Sequence, residues 1–330
     1  MTIKNRLHFV FFAAAALLFA TCGAQPGPER AVEESSDLRT AAIASEPAQP
    51  SQRMAFLWRV MPPDEPRKVV YLLGSIHVAR PDFYPLDPAI EEAFDASDAL
   101  VVEADPSDLD SDKVRSDTIR RALLPAGETL KDRIGAETWT ALVVSLEERG
   151  VPLATVTNFE PWFAALLIEQ MMLKDRGLDP ALGVDRHFVE RAGSAKPIEA
   201  LETPESQIGI FDSLSPTLQE LVLADAIAGF GQEGQREITR MLDAWNAGDG
   251  EAMHDLFRES FADNPQAAPL YDALISRRNA TMADAVDALA DKWDRLFVVV
   301  GAGHLAGDDG VVSLLERRGF RAEQVPARGR

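Results

Sequence analysis

The sequence predicts an α/β protein with a central mixed β-sheet and a large helical insertion. Three observations lead to this fold class. Short apolar runs rich in β-branched residues occur first, between positions 54 and 102. A long stretch with helical periodicity follows from about 112 to 292, and a strand–helix–strand segment ends the chain. Early and late strands separated by helices are typical of one sheet covered by helices.

The composition is that of a globular protein with a sizeable core. Of 330 residues, 46% are hydrophobic and 26% are charged, which are ordinary values for a folded domain. Acidic residues outnumber basic ones by 53 to 33, giving a net charge of −20. Because duplex nucleic-acid binders need a basic surface, the sequence argues against a nucleic-acid partner. The single cysteine excludes an internal disulfide and a cysteine-based zinc site.

Residues 1–22 predict an export signal. Lys4 and Arg6 precede the apolar run Phe9–Ala20, whose 12 residues are too few to span a membrane and typical of a signal peptide. Two interpretations stay open: Cys22 is lipidated as in a bacterial lipoprotein, or cleavage occurs near Ala24. Both predict an exported protein, in the periplasm or lipid-anchored at the cell envelope. Membrane association is expected only through a lipid on Cys22.

The folded domain is expected at residues 53–330, after a flexible linker at 23–52 that is rich in Ala, Ser, Glu, Gln and Pro. Short runs with β-branched or aromatic residues are typical of strands. They predict strands at Met54–Val60, Val69–Leu73, Ala99–Val102, Pro197–Leu201, Leu296–Val300 and Phe320–Val325.

Helical spacing of apolar residues predicts the elements between these strands. The first helix is expected at Pro88–Ser97, with Asp87 as its N-cap. The last is expected at Asp309–Arg318, with Gly319 at its C-terminal end. Between them, helices are predicted at Glu137–Arg149, Pro161–Arg176, Gly183–Ala192, Pro216–Ala228, Gln235–Ala247 and Tyr271–Lys292.

Two of the predicted strands end in the same Gly-x-x-His motif. One strand is followed by Gly74–His77 and the other by Gly301–His304, while Glu103 follows a third. Ligands of α/β sheets bind beyond the carboxyl ends of the strands. If these strands are parallel neighbours, we expect the two imidazoles and the carboxylate to converge. Two histidines and one carboxylate form open metal sites, as in zinc hydrolases and non-haem iron centres, and a bound ion can activate water.

These motifs resemble the TraB/GumN family, which belongs with the Tiki-type proteases and the erythromycin-esterase/ChaN-like (EreA/ChaN-like) proteins. The resemblance is carried by Leu73–Val78, Leu100–Glu103, Gly183–Asp185, Leu201–Gln207, Arg278–Met282 and Val300–Leu305. It implies an EreA/ChaN-like fold and a metal-dependent hydrolase, a peptidase with a peptide or protein substrate. His77, Glu103 and His304 are then the catalytic and metal-binding residues. The metal implied is a divalent ion such as Mn, Co or Zn.

Three further residues are candidates for the site. Arg278 would bind a carboxylate or oxyanion and Asn279 would donate to a carbonyl, unless the two are an exposed helical pair. Asp185 would be a further metal ligand or would orient a histidine, unless it is only a helix N-terminal charge.

Other polar residues are weaker candidates. Glu202 could lie at a strand end or cap a helix before Pro204, and Arg80 could contact substrate or simply be solvated. His187 and His254 are expected at the surface. Ser75 does not indicate a serine hydrolase, because the sequence has no Gly-x-Ser-x-Gly motif.

Two other functions stay open. The protein could bind a peptide, a metal or haem without turnover. It could also be a metal-free, esterase-like hydrolase that uses His and Glu as acid and base. Metal content and sensitivity to chelators distinguish these alternatives from the metallohydrolase.

Overall fold

The computed structural model describes residues 53–329, except Pro66, Asp263 and Asn264. The export signal expected at 1–22 and the linker expected at 23–52 lie outside the described residues. Within the described part of the chain, no helix is long and apolar enough to cross a membrane.

The strands form one mixed sheet, as the sequence predicts. They are β1 (Met54–Met61), β2 (Val69–Ser75), β3 (Ala99–Val102), β4 (Ile198–Ala200), β5 (Arg295–Gly301) and β6 (Arg321–Pro326). Their order across the sheet is β4-β3-β5-β2-β1-β6. Strands β4, β3, β5 and β2 are parallel, whereas β1 is antiparallel to both β2 and β6. The late strand β5 therefore lies between the early strands β2 and β3.

The three central strands are buried on both faces. All four residues of β3 are buried, as are six of the seven residues in each of β2 and β5. Continuous apolar runs are what parallel strands covered on both sides require. Beneath β5, Phe297 packs against Phe94 and Phe188, with ring centroids 5.5 and 4.8 Å away.

Fourteen named α-helices occur in the described chain. The first seven are α1 (Pro88–Asp95), α2 (Pro106–Leu109), α3 (Asp112–Ala122), α4 (Leu130–Arg133), α5 (Ala136–Glu148), α6 (Pro161–Asp175) and α7 (Val184–Ala192). The others are α8 (Pro204–Asp212), α9 (Pro216–Ala228), α10 (Gln232–Ala247), α11 (Gly250–Ala262), α12 (Ala268–Tyr271), α13 (Arg277–Lys292) and α14 (Val311–Arg317). A π-helical turn, Asp272–Ser276, connects α12 to α13. Short 3-10 turns lie at Pro81–Phe83, Leu153–Thr155, Pro180–Leu182, Pro265–Ala267 and Ala302–His304.

The helix boundaries follow the predicted capping residues closely. Asp87 caps α1 by accepting a hydrogen bond from the Ala89 amide at 2.9 Å. Gly319 follows α14 with a φ of +93°, which a residue without Cβ adopts at little cost. Helix α8 is an element that the sequence analysis did not predict individually. Its signal is present in the chain, since Thr203 caps it and Pro204 occupies its first turn.

Candidate active site

The carboxyl ends of β2, β5 and β3 bring His77, His304 and Glu103 together. Ser75 pairs with Gly301 across β2 and β5, which puts the two Gly-x-x-His turns side by side. All three side chains are buried, because each residue is at most 4% exposed. The Nε2 atoms of His77 and His304 each lie 3.9 Å from Glu103 Oε2. Two imidazoles and a carboxylate therefore face one small volume.

Gly301 leaves this volume open. A Cβ at position 301 would lie 3.0 Å from His77 Nε2, and 3.4 Å from both Glu103 Oε2 and His304 Cδ2. The Gly301 amide also donates a 2.9 Å hydrogen bond to Glu103 Oε2. The glycine that ends β5 thus orients the carboxylate and keeps side-chain atoms out of the space between the three groups.

The tautomer of His304 is fixed by Asn279. The amide Nδ2 of Asn279 donates to the Asp309 carbonyl at 2.8 Å, so its Oδ1 faces His304. His304 Nδ1 lies 2.6 Å from this oxygen and must carry the proton that Asn279 accepts. The lone pair of His304 is then on Nε2, on the side of Glu103. The role of Asn279 is to accept from the histidine, and its amide donates elsewhere.

Asp185 lies beside His77 at ion-pair distance. His77 Nδ1 lies 3.2 Å from Asp185 Oδ1, and the Ser75 hydroxyl donates to the same oxygen at 3.0 Å. Gly183 permits this approach, because a Cβ there would lie 2.5 Å from the His77 carbonyl oxygen. The Val184 amide donates to the Ile76 carbonyl at 3.0 Å and anchors the start of α7 beside β2. Asp185 therefore lies where the second of its two predicted roles, orienting a histidine, requires it to be.

Arg278 and Gln207 hold Glu103 from the opposite side. The guanidinium Nη2 of Arg278 contacts Glu103 Oε1 and also Glu202 Oε2, the latter at 2.7 Å. Gln207 Nε2 donates to Glu103 Oε1 at 3.0 Å and to Glu202 Oε2 at 2.9 Å. Arg278 is only 8% exposed and Asn279 is fully buried, so the exposed helical pair is wrong. Arg278 does bind a carboxylate, that of Glu103.

The electrostatics of the site set its protonation. Burial disfavours the charge on Glu103, but Arg278 and the two histidines outweigh it and lower the pKa of Glu103 to about 2. Burial, reinforced by Arg278, lowers the pKa of His304 to about 3. Burial also opposes the charge on His77, yet Asp185 outweighs it and raises the pKa of His77 above 6.5. At neutral pH Glu103 is ionised and His304 is neutral.

The buried charges of the site leave an excess of negative charge. Glu103, Asp185 and Glu202 are carboxylates, and Arg278 is the cation that contacts two of them. The net charge of this set is −2 with both imidazoles neutral and −1 when His77, whose pKa is raised, carries a proton. Buried charge is costly unless it is compensated, so the site suits a cation.

The donor set fits a divalent metal ion. Within the described residues, His77 Nε2 and His304 Nε2 are buried without a hydrogen-bond partner. His304 Nδ1 is hydrogen-bonded to Asn279 Oδ1, and His77 Nδ1 lies 3.2 Å from Asp185 Oδ1, at ion-pair distance but without the geometry of a hydrogen bond. An oxygen beside Nδ1 is the arrangement that metal-binding histidines usually have. Imidazole and carboxylate donors suit Zn, Co and Mn. His77, His304 and Glu103 would hold such an ion, whereas Asp185 would act on it only through His77.

The three donor groups lie slightly too far apart to bind one metal ion together. No group of three His, Cys, Asp or Glu side chains in the described part of the chain has the geometry of a metal site. Two ligands that share an ion at roughly 2.1 Å lie at most about 4.2 Å apart. The 3.9 Å separations are near this limit. A metal bound by all three groups would require a small inward movement of the carboxylate or the imidazoles.

The helical insertion covers the site. Met241 of α10, together with Met253 and Phe257 of α11, faces Ser75–His77 and Gly301–Gly303 across a cavity of about 20 Å³. A water molecule or an ion fits such a volume, but a peptide does not. Trp245 fixes α10 to the end of β2 by donating to the Gly74 carbonyl at 2.7 Å.

The model of the TraB/PrgY/gumN family matches residues 56–324. This range includes both Gly-x-x-His turns, Glu103 and the helix that carries Arg278 and Asn279. The chain belongs to the TraB/PrgY/gumN family. The family predicted from the sequence motifs is therefore confirmed.

Named relatives of this TraB/PrgY/gumN chain include bacterial and vertebrate proteins. It is 28% identical to the uncharacterized protein YbaP of Escherichia coli, over 74% of this chain and 87% of YbaP. It is 24% identical to metalloprotease TIKI1 of Danio rerio, over 83% of this chain and 63% of TIKI1. It is 25% identical to metalloprotease TIKI2 of Xenopus tropicalis, over 83% of this chain and 60% of TIKI2. No solved structure matches the chain.

Part of the site in this TraB/PrgY/gumN chain has no clear signal in the sequence. Gln207 received no role, although its segment was part of the family motif. Glu202 is not the N-cap of α8, which is Thr203, but a partner of Arg278. Among the weaker candidates, Arg80 contacts Asp82 at 3.3 Å. His187 and His254 lie outside the site, and both are partly buried rather than fully exposed.

Proposed function

We propose that this protein is an exported metal-dependent hydrolase that cleaves peptides. The observation that carries the proposal is the pair of buried imidazoles whose Nε2 atoms have no hydrogen-bond partner among the described residues, each 3.9 Å from one ionised carboxylate. The family relationship to proteins named metalloproteases supports a hydrolase. Export rests on the N-terminal sequence alone.

Each residue of the site has a defined task in this proposal. His304 offers the lone pair of Nε2 because Asn279 accepts from its Nδ1, and His77 would offer Nε2 with its Nδ1 proton directed at Asp185, 3.2 Å away. Glu103 contributes Oε2, while Arg278 holds its other oxygen. A divalent ion bound there would supply Lewis acidity and would lower the pKa of a coordinated water molecule.

Arg278 keeps the Glu103 carboxylate ionised and in place. Because the pKa of Glu103 is about 2, this group is poorly suited to take up a proton while Arg278 remains in contact. We therefore assign Glu103 to ligand binding rather than to general base catalysis. His77, whose pKa is raised, is the better proton carrier when it does not bind an ion.

Metal content and peptide cleavage test the proposal together. The purified protein is soaked with Mn²⁺, Co²⁺ or Zn²⁺, desalted, and analysed by elemental mass spectrometry beside the double variant His77→Ala/His304→Ala. We expect close to one ion per chain in the parent and none in the variant. Cleavage of a mixed peptide pool, followed by mass spectrometry, should require the ion and should be absent from the variant.

A second double variant controls for the loss of histidines as such. His187→Ala/His254→Ala removes two imidazoles outside the site and should retain both the ion and cleavage. Metal retained in His77→Ala/His304→Ala would contradict the proposed ligands. Peptide cleavage that persists in the presence of a metal chelator would instead favour the interpretation as a metal-free hydrolase.

A non-catalytic metal-binding protein is the second candidate function. The observation that favours it is the small size of the cavity at His77, since a volume of about 20 Å³ admits an ion but no peptide. This alternative predicts stoichiometric metal in the parent and no metal-dependent cleavage of any peptide pool.

A further inference from the structure

A groove of about 590 Å³ lies beside the candidate active site. Its walls come from the segment after β4, from α8 and α9, and from the helix that includes the π-turn and α13. Its size is within the usual range of small-ligand sites. The apolar residues that line it are Leu201, Ile210, Leu214, Leu218, Pro269 and Ala273.

The groove is continuous with the residues that hold Glu103. Arg278 and Glu202 line it, and the same Arg278 contacts Glu103 on its other side. The groove also lies at the carboxyl end of β4, where Leu201 and Glu202 follow the strand. Ligands of α/β sheets bind at this edge. An occupant of the groove would therefore contact Arg278, which lies between the groove and Glu103.

Arg278 retains one N–H group for an occupant. A guanidinium has five N–H donors. Hydrogen bonds within the described chain use four of them: Nε to Glu202, Nη1 to the Leu274 carbonyl at 3.1 Å, and Nη2 to Glu103 and Glu202. The remaining donor is the second N–H of Nη1. A carbonyl oxygen at the inner end of the groove can accept from it.

The groove differs in charge from the rest of the protein. Its charged lining residues are Glu202, Arg277 and Arg278, which sum to +1 in a chain whose net charge is −20. Arg278 is paired with Glu202, and Arg277 forms a 2.7 Å ion pair with Asp272. No unpaired carboxylate lines the groove among the described residues, so it suits an uncharged, apolar occupant.

We propose that this groove is the specificity subsite for an extended peptide substrate and takes an apolar side chain of that peptide. A backbone carbonyl of the peptide accepts a hydrogen bond from Arg278 Nη1. In an extended peptide, successive side chains point to opposite faces and the backbone carbonyls lie between them. One side chain can therefore contact the apolar wall while a neighbouring carbonyl accepts from the single donor. The Ser206 and Thr281 hydroxyls already donate to the Thr203 and Arg277 carbonyls, so at the groove their oxygens can only accept from backbone N–H groups of the peptide. This inference rests on the proposed peptidase function, and names its substrate class.

Photo-crosslinking tests binding without requiring cleavage. The probe is a blocked nonapeptide of Gly, Ser and Ala with photo-leucine at its centre, irradiated with the full chain and mapped by tandem mass spectrometry. The competitors are the same peptide with leucine or with aspartate at its centre. We expect adducts on groove residues and competition by the leucine peptide at least tenfold stronger than that by the aspartate peptide.

Two tryptophan variants make the test specific. Thr281→Trp places an indole in the groove at an exposed helical position, and should reduce the adduct at least tenfold. Thr140→Trp is the matched control, since Thr140 is also exposed and also donates to a carbonyl four residues earlier, but lies on α5 outside the groove. If Thr281→Trp fails to fold, Ser213→Trp fills the groove from the α8 side.

The outcomes separate the groove from the peptidase. The proposed subsite would be contradicted by adducts outside the groove. It would also be contradicted by an unchanged yield of adduct in Thr281→Trp and Ser213→Trp. Failure of the peptide to crosslink at all would overturn it as well, even if metal-dependent cleavage is found. Groove adducts that respond to Thr281→Trp but come without metal-dependent cleavage would support the subsite and refute the peptidase.

Discussion

Gly301→Ala should block metal binding while leaving the fold intact. Gly301 has φ −50° and ψ +137°, values that alanine adopts without strain. Its new Cβ would lie 3.0 Å from His77 Nε2, about 0.4 Å inside ordinary contact at 3.4 Å. A metal ion must approach that nitrogen to about 2.1 Å, and the methyl group occupies the same side. Asp185 lies next to Nδ1 of the same ring, so the imidazole cannot simply move away from the methyl group.

The expected size of the effect follows from this overlap. Affinity for Mn²⁺ or Co²⁺, measured by isothermal titration calorimetry, should fall at least 100-fold, which is about 2.7 kcal/mol. Overpacking should lower the free energy of unfolding by about 1–3 kcal/mol. Gly209→Ala is the matched control, because a Cβ there meets nothing within 4 Å. If Gly301→Ala binds the metal as tightly as Gly209→Ala does, the ion is not held between His77, His304 and Glu103.

Three further predictions follow from the buried polar groups. Asn279→Ala removes the acceptor that fixes the tautomer of His304, and should weaken metal binding about 10- to 100-fold by calorimetry; unchanged affinity would contradict that role. Gln207→Leu removes the donor shared by Glu103 and Glu202, and should lower the free energy of unfolding by about 1–3 kcal/mol in urea titrations. A free energy of unfolding equal to that of the parent would show that these two hydrogen bonds do not stabilise the fold. Burial, together with the nearby Asp225 charge, raises the pKa of Glu169 well above 4.5, so the folded chain keeps a proton that the unfolded chain releases. Its contribution to stability is complete below pH 4.5 and is lost as the pH rises towards the folded pKa. Glu169→Gln should therefore gain stability over the parent as the pH rises from 4.5, by up to about 1.4 kcal/mol per pH unit, and an equal difference at pH 4 and pH 7 would refute this.

The sequence predicts the convergence of His77, His304 and Glu103 because each follows an apolar strand at its carboxyl end. That inference needs only a local motif and the geometry of parallel strands. The strands and most helix boundaries are predictable for the same reason, since their periodicity and caps are local. These features can be predicted without knowledge of tertiary contacts.

The surroundings of Glu103 could not be predicted in the same way. Gln207 reaches Glu103 across 104 positions and Arg278 across 175, and no periodicity encodes such contacts. Two polar residues in a helix are equally compatible with a solvent-exposed face. Only the position of α13 against β3 and β4 makes Arg278 a buried partner of two carboxylates. The small cavity under α10 and α11 likewise depends on packing that the sequence pattern does not specify.

The position of β5 has a consequence for how the molecule is assembled. This strand is made near the end of synthesis, yet it lies between β2 and β3 and joins the two parts of the sheet. His77 and His304 are 227 positions apart, so the candidate site forms only after a very large loop has closed. Contacts this distant in sequence slow folding. A chain stopped before residue 295 lacks both the central strand and the second histidine, so any affinity for metal at this site would mark the completion of folding.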